Sequence, residues 1–349
     1  MGNLTSFEFL DLRSNSIDGR IPRSFSNLCN LRILQLSDNS INSWERLTRC
    51  LANSLETLDV SRNQLTGVLP NWLINFSSLA YLDLSGNRFS GSIPSAMGNL
   101  TSLEFLDLSN NSIDGRIPRS FSNLCNLRIL QLAENSISSW ERLTRCLANS
   151  LETLDVSRNQ LTGVLPNWLI NFSSLAYLNL SGNRFSGSIP SAMRNLTSLE
   201  FLDLSNNSID GRIPRSFSNL CNLRILQLAE NSISSWERLT RCLANSLETL
   251  DVSENQLTGD LPNWLTNFSS LVYLDLYGNE FSGSIPSVMG NLTSLEFLDL
   301  SNNSIDGRIP RSFSNLCNLR ILQLTENSIS SCKRFTRCLA NSLETLDVS

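Results

Sequence analysis

Residues 100–118 read LTSLEFLDLSNNSIDGRIP, and the alternation within this stretch decides the fold. Leu106 and Leu108 are two residues apart, so both point to one face of an extended chain, whereas Phe105 and Asp107 point to the other. The Gly-Arg-Ile-Pro end supplies a glycine, which permits a close or left-handed backbone, and a proline, which ends the strand. The stretch therefore predicts a short strand with one buried face, followed by a turn.

The same pattern recurs through the whole chain of 349 residues. Aligned on leucine, coils begin at positions 4, 28, 52 and onward to 340, which gives a period of 24 residues without insertion or deletion. No single coil can bury its leucines alone, so the core has to form between neighbouring coils. We therefore expect one solenoid over residues 1–349, without an N- or C-terminal cap. A longer period of 96 residues divides it into four copies, at residues 1–96, 97–192, 193–288 and 289–349.

The predicted fold class is an α/β-type solenoid of about fourteen 24-residue coils. Its strands should form one parallel concave sheet, and short 3-10 or helical segments should lie on the convex side. Trp44, Leu47 and Leu51 have helical spacing after Ser43. We expect one or two helical turns there, with Trp44 packed against the next coil.

An asparagine occupies the twelfth position of every complete coil. Such a column is best interpreted as a buried ladder, in which each amide bonds backbone groups that the bend after the strand leaves unpaired. The first five members of this structural ladder are Asn15, Asn39, Asn63, Asn87 and Asn111.

Composition excludes several classes of function. A net charge of −5 argues against nucleic-acid binding, because a protein that binds the phosphate backbone needs a basic face. The chain has no histidine, the commonest general base and metal ligand, so we expect no metal, no cofactor and no enzyme activity. Its repeated aspartates lie on an open face rather than in a closed pocket. No apolar run is long enough to span a membrane, and the first residues do not resemble a secretory signal.

The L-x-x-L-x-L-x-x-N-x-L-x-G-x-I-P signature resembles the plant-type leucine-rich repeat. That repeat occurs in ectodomains of receptor-like proteins and receptor kinases, and in secreted inhibitors of cell-wall enzymes. The Asn27-Leu28-Cys29-Asn30-Leu31 motif is similar to the middle of receptor-like proteins that sense microbial molecules. The resemblance implies a second short strand per coil and an extracellular or cell-surface recognition role. It also implies a peptide, glycan or protein ligand and a co-receptor kinase as signalling partner.

Near-identity of the four copies leaves an alternative open. A duplicated fragment or a designed consensus array would be a structural scaffold without an evolved ligand, and a secreted cell-wall-enzyme inhibitor is a variant of the recognition hypothesis. The exposed apolar residues of uncapped end coils also predict end-to-end self-association.

Eight of the nine cysteines occur in pairs separated by 21 residues. The members of a pair face each other across one coil spacing, within reach of a disulfide, although buried free thiols remain an alternative. The ninth, Cys332, has no histidine to activate it. The candidate disulfides are Cys29 with Cys50, Cys125 with Cys146, Cys221 with Cys242, and Cys317 with Cys338.

Ten Asn-x-Ser/Thr sequons are candidate glycosylation sites if the chain is secreted. Some are expected by chance in a chain so rich in Ser and Asn. The acceptor residues are Asn3, Asn75, Asn99, Asn110, Asn171, Asn195, Asn206, Asn267, Asn291 and Asn302.

The concave face is the predicted binding surface, because solenoids present their outward strand residues there. Aromatic residues at the sixth coil position lie beside acids and amides at the eighth, which suits a basic or polar peptide or a stacked glycan. Stacked strands also favour aromatic residues without any ligand. The third copy differs by Glu254, Asp260, Tyr277 and Glu280, which would favour a cationic ligand, although drift explains four substitutions equally well. The candidate residues are Phe105, Asp107, Tyr177, Asn179, Phe201, Asp203, Tyr273, Asp275 and Tyr277.

Overall fold

The computed structural model describes residues 6–331 and 339–348. It divides the chain into two compact units. The first unit comprises Met1–Thr162 and Asn171–Leu175, and the second comprises Gly163–Ile170 and Ala176–Ser349. The expectation of one continuous domain with four copies stays a prediction.

Each coil contributes one strand to a parallel sheet, which we call a primary strand. In the first unit, each residue of a primary strand pairs with the residue 24 positions later, as Phe9 does with Ile33 and Tyr81 does with Phe105. The primary strands of this unit are Phe9–Asp11, Ile33–Gln35, Thr57–Asp59, Tyr81–Asp83, Phe105–Asp107, Ile129–Gln131 and Thr153–Asp155.

The second unit repeats this arrangement with the same 24-residue register, as in the pairing of Tyr273 with Phe297. Its primary strands are Tyr177–Asn179, Phe201–Asp203, Ile225–Gln227, Thr249–Asp251, Tyr273–Asp275, Phe297–Asp299, Ile321–Gln323 and Thr345–Asp347. Parallel strands stacked at one coil period, with short 3-10 turns between them, confirm the predicted solenoid fold class.

Each coil has a second strand, here called the secondary strand, as the family resemblance implied, and in most coils it lies at the Gly-x-Ile/Leu-Pro step. In the first unit, Asp18–Ile21 pairs with Ser40–Trp44, and Thr66–Val68 begins a separate sheet. The secondary strands are Asp18–Ile21, Ser40–Trp44, Thr66–Val68, Arg88–Ser92, Ser112–Ile117, Ser136–Trp140, Thr162–Val164, Arg184–Ser188, Ser208–Ile213, Ser232–Trp236, Thr258–Asp260, Glu280–Ser284, Ser304–Arg308 and Ser328–Ser331.

Short helices complete the coils. A proline, which cannot continue a ladder, precedes each 3-10 helix. The 3-10 helices are Arg23–Asn27, Asn71–Asn75, Ser95–Asn99, Arg119–Asn123, Asn167–Asn171, Ser191–Asn195, Arg215–Asn219, Asn263–Asn267, Ser287–Asn291 and Arg311–Asn315. The single-turn α-helices are Leu51–Ser54, Leu147–Ser150, Leu243–Ser246 and Leu339–Ser342.

The helix expected around Trp44 was placed wrongly. Ser40–Trp44 is a secondary strand, and the helix is the single turn Leu51–Ser54. Pairing of this strand with the preceding coil overrides the helical spacing, since Ile41 is only 2% exposed in its strand position. Trp44 nevertheless packs on the next coil, with its ring centroid 5.1 Å from that of Trp72.

The core is a column of leucines closed by phenylalanines. Leu106 and Leu108 are both fully buried, as the alternation predicted. Phe121 and Phe217, within the 3-10 helices, are also fully buried and close the opposite side of their coils. Each coil therefore buries its apolar set against its neighbours, which is how a repeat too small to fold alone becomes stable.

The asparagine column forms the expected ladder. The Asn63 side-chain amide donates to the carbonyl oxygens of Val60 and Ser61 in its own coil and of Leu36 in the preceding coil, at 3.0–3.2 Å. Its Oδ1 accepts the Ile41 N–H at 2.9 Å. Asn39, Asn87 and Asn111 make the same contacts, and Asn15 bonds the carbonyl oxygens of its own coil.

Candidate ligand-recognition face

The outward side of the primary strands carries pairs of stacked aromatic rings. The Tyr81 and Phe105 centroids are 4.2 Å apart and their planes differ by 5°. In the second unit, Tyr177 stacks on Phe201 and Tyr273 on Phe297, each at 4.3 Å and 6°. The exact 24-residue register causes this stacking, because it places successive sixth-position residues one strand spacing apart. The rings are partly exposed, so they offer apolar area to a ligand.

The acids of this face are less accessible than the strand alternation predicted. Asp107 and Asp203 are each only 7% exposed. Their Oδ1 atoms accept the backbone N–H groups of Ser109 and Ser205 at 2.7 and 2.8 Å. The carboxylates do not project outward. They fold back onto their own turns, where they bond the backbone two residues on, as is common for aspartate. These two aspartates therefore stabilise the bend after the strand and present little surface to a ligand.

Burial and neighbouring carboxylates alter the acidity of Asp83. Its flanking strands place Asp59 and Asp107 beside it in register. Loss of hydration, reinforced by these two negative charges, raises the pKa of Asp83 to about 6. Burial, together with the surrounding aspartates, raises the pKa of Tyr81 to about 12.

The third copy carries a related but distinct group of side chains. The Tyr273 hydroxyl donates to Asp275 Oδ2 at 3.0 Å, and the Tyr277 backbone N–H donates to Asp275 Oδ1 at 3.0 Å. Burial, with charge from Asp251 and Asp299, raises the pKa of Asp275 to about 6. The same causes, with burial first, raise the pKa of Tyr273.

The second copy shows what an amide does at this position. Asn179 Oδ1 accepts both the backbone N–H and the hydroxyl of Ser181, at 3.0 and 2.7 Å. Asp83 makes the same two bonds with Ser85, at 2.9 and 2.7 Å. Asparagine therefore reproduces both hydrogen bonds that aspartate makes with the turn serine, and the two side chains differ in charge.

Three of the four candidate cysteine pairs are joined in the structure. Cys29 bonds Cys50, Cys125 bonds Cys146, and Cys221 bonds Cys242, each with a Cα–Cα distance of 4.8 Å. The alternative of buried free thiols does not describe these residues. Cys338, expected to pair with Cys317, and the ninth cysteine, Cys332, lie outside the described residues.

Nine of the ten sequon asparagines are described, and all nine are exposed. Six of them end a 3-10 helix, as Asn99 does. Asn110, Asn206 and Asn302 follow a primary strand with positive φ. Asn3 lies outside the described residues.

Sequence reasoning missed a cavity in the second unit. It has a volume of about 580 Å³ and is lined by Arg212, Arg215, Glu237 and several serines. Arg212 and Glu237 form an ion pair at 3.0 Å beside an irregularity in strand register at Gly211. The Gly-Arg-Ile-Pro sequence, which is identical in other copies, was the available sequence signal for this cavity. Strand spacing alone does not reveal the bulge beside it.

The helices within residues 6–331 and 339–348 are short. No helix in these ranges combines the length and apolar character that a membrane crossing requires. In the same part of the chain, no three His, Cys, Asp or Glu side chains are grouped so as to hold a metal ion.

Comparison with known proteins identifies the family. A model described as a leucine-rich repeat region matches residues 1–164 and 215–348, and a second leucine-rich repeat model matches residues 149–209. The chain belongs to the leucine-rich repeat family, in the form found in plant receptor-like ectodomains. Ectodomains of this form are typically non-catalytic.

Individual relatives cover the chain to different extents. Receptor like protein 28 of Arabidopsis thaliana is 39% identical over 69 residues, which are 20% of this chain and 9% of that protein. The plant peptide hormone receptor RGFR1 in complex with RGF2 matches all of this chain and 60% of its own, with 30% identity and a TM-score of 0.87. The Arabidopsis receptor kinase HAESA, in complex with the peptide hormone IDA and the co-receptor SERK1, matches 94% of this chain and 59% of its own, with 32% identity and a TM-score of 0.77.

Proposed function

We propose that this chain is the ligand-recognition part of an extracellular receptor-like protein, that it binds an extended peptide along its primary strands, and that it signals through a partner protein. The observation that carries the proposal is the repeated stacking of Tyr81 on Phe105 and of Tyr273 on Phe297 on the outward side of the sheet. Partly exposed aromatic rings on rigid strands supply contact area at low cost in side-chain entropy.

Two comparisons support a peptide as the ligand. RGFR1 and HAESA, both similar to this chain over nearly its whole length, were solved with peptide hormones. HAESA was also solved with a co-receptor, which supports a signalling partner. On this proposal the chain has no catalytic step, and its biological output depends on what the bound complex recruits.

Selection from a display library of random peptides tests the proposal. The wild-type chain should enrich a set of peptides that a variant with Tyr81→Ser, Tyr177→Ser and Tyr273→Ser does not retain. A control variant with Val68→Ser and Val164→Ser alters side chains that are 67% and 66% exposed on secondary strands, and it should retain the same peptides.

The scaffold alternative gives the opposite outcome. A chain without an evolved ligand should enrich no peptide above background, or should enrich peptides that the tyrosine variant retains equally well. Either result would overturn the recognition proposal.

A further inference from the structure

A notch opens beside Tyr273 in the row of sixth-position residues on the second unit. Register places Thr249 between Ile225 and Tyr273, so a short side chain stands between two large ones. Phe297 covers one face of the Tyr273 ring by stacking at 4.3 Å. The other face is turned toward Thr249, which carries no ring to cover it.

Carboxylates line the notch on one side. Asp251 and Asp275 follow Thr249 and Tyr273 by two residues and therefore lie on the same outward face of the sheet. The Ser253 hydroxyl donates a hydrogen bond to Asp251 Oδ1 at 2.7 Å. Tyr277 replaces the equivalent serine after Asp275, so Asp275 Oδ1 receives no such hydroxyl bond, and its Oδ2 accepts from Tyr273.

Two of the four substitutions of the third copy, Glu254 and Tyr277, meet in the turns that follow these strands. The Glu254 backbone N–H donates to the Tyr277 carbonyl oxygen at 2.7 Å, so these two replaced positions are in direct contact. In the first unit, the position equivalent to Glu254 is Arg158, which pairs with Glu134 at 2.8 Å. Glu254 instead neighbours Glu230, and within the described residues neither glutamate has a cationic partner.

We propose that this notch, bounded by Thr249, Tyr273 and Asp275, seats a lysine or arginine side chain of the bound peptide. The proposal rests on the peptide-binding function above and specifies which side chain the peptide presents to the third copy. A cation over the open Tyr273 face is attracted by the ring electrons and can ion-pair with the carboxylates beside it. Glu230 and Glu254 add negative potential that draws a basic segment toward the same edge of the strands.

Fluorescence anisotropy with labelled pentalysine and pentaglutamine, on the full chain, tests the notch independently of any natural ligand. Pentalysine should bind the wild type, and Asp275→Asn or Tyr273→Ser should weaken it about tenfold, whereas pentaglutamine should not bind. Asp275→Asn is expected to fold normally, because Asn179 occupies the same position in the second copy with its turn intact.

The matched control is Asp306→Asn, which removes the same charge from an exposed position on a secondary strand of the same unit. Equal weakening by Asp275→Asn and Asp306→Asn would show attraction to net charge only and overturn the proposal. So would an unchanged affinity in the Asp275 and Tyr273 variants. If the library enriches peptides that lack basic residues, the notch assignment fails while the recognition function stands. If pentalysine binds at the notch but no library peptide is retained, the recognition function fails while the cation site stands.

Discussion

The Asn87 side-chain amide donates to the Val60 carbonyl oxygen of the preceding coil at 3.0 Å, while its Oδ1 accepts the Leu65 N–H at 2.9 Å. One side chain thus joins two coils through backbone groups that the bend leaves without a strand partner. Because Asn87 is only 8% exposed, water cannot readily replace these bonds.

Asn87→Ala should therefore lower the free energy of unfolding by about 1–3 kcal/mol for the buried groups left unpaired. The measurement is the urea midpoint of unglycosylated protein. Asn99→Ala, which changes an exposed asparagine at the end of a 3-10 helix, is the control and should shift the midpoint little. Equal shifts in the two variants would contradict the ladder's stabilising role.

Removing one disulfide should also destabilise its coil. Cys125 and Cys146 close a loop across a separation of 21 residues. A disulfide that closes a loop of this size raises the free energy of unfolding by about 3 kcal/mol. The double variant Cys125→Ser and Cys146→Ser should melt at lower temperature than wild type under oxidising conditions. Mass spectrometry of the unreduced wild type should recover the cross-linked peptide, and alkylated thiols at both positions would show that the bond does not form.

Asp83 should make stability depend on pH in a defined direction. Because its folded pKa of about 6 lies above the ordinary aspartate value of 3.8, the folded state binds the proton more tightly than the unfolded state does. This residue therefore lowers stability fully above about pH 6, and the penalty disappears as the pH falls toward 4.

Asp83→Asn should remove that penalty and stabilise the fold at pH 7 by roughly 1–3 kcal/mol, with little change near pH 4. Urea midpoints measured across this range test the effect. Asp18→Asn, at an exposed position in the same unit, controls for the loss of one charge. A variant at Asp83 whose pH profile parallels that of the wild type would rule out the assigned pKa.

Gly98 lies where the 3-10 helices of adjacent coils meet. A Cβ built there would lie 2.5 Å from both the Cβ and the carbonyl oxygen of Ser120. Gly98→Ala should destabilise the first unit by about 1–3 kcal/mol through overpacking. Arg194 already carries a side chain at the equivalent position of the third copy, so Arg194→Ala should be nearly neutral in the same thermal melt.

Exposed sequons predict glycans on protein made in a plant secretory host. Asn110, Asn206 and Asn302 are accessible beside the primary strands, so enzymatic deglycosylation should convert them to aspartate with a mass change detectable in peptides. Asn126 is exposed outside any sequon and should stay unchanged. Unmodified asparagine at all sequons in such protein would argue against glycosylation.

The repeat period predicts most of the fold from the sequence alone. A constant spacing of 24 residues sets the strand register, and register in turn aligns Asn63 with Leu36 and Tyr81 with Phe105. The position of the helix near Trp44 escaped prediction because pairing with the preceding coil competes with helical spacing, and this pairing is tertiary. Likewise, alternation assigns Asp107 to the outward face but cannot show that its carboxylate turns back to the Ser109 N–H.

The candidate site was only partly predictable for the same reason. The nine residues named from the strand pattern include Tyr273 but not Phe297, whose stacking on Tyr273 follows from the register. The notch depends on Thr249, whose importance comes from being smaller than its neighbours in space. The cavity beside Arg212 depends on an irregular register that no period describes.

The asparagine ladder also restricts how a chain of this kind can change its length. An insertion of a few residues within one coil would move its asparagine away from the carbonyl oxygen that it bonds 27 positions earlier, as Asn87 bonds that of Val60. Addition of a whole coil, or of a block of coils, leaves every such bond intact. The chain can therefore lengthen only by whole coils. In-frame duplication of the 96-residue copy is a genetic event that this architecture tolerates without a change at any other position.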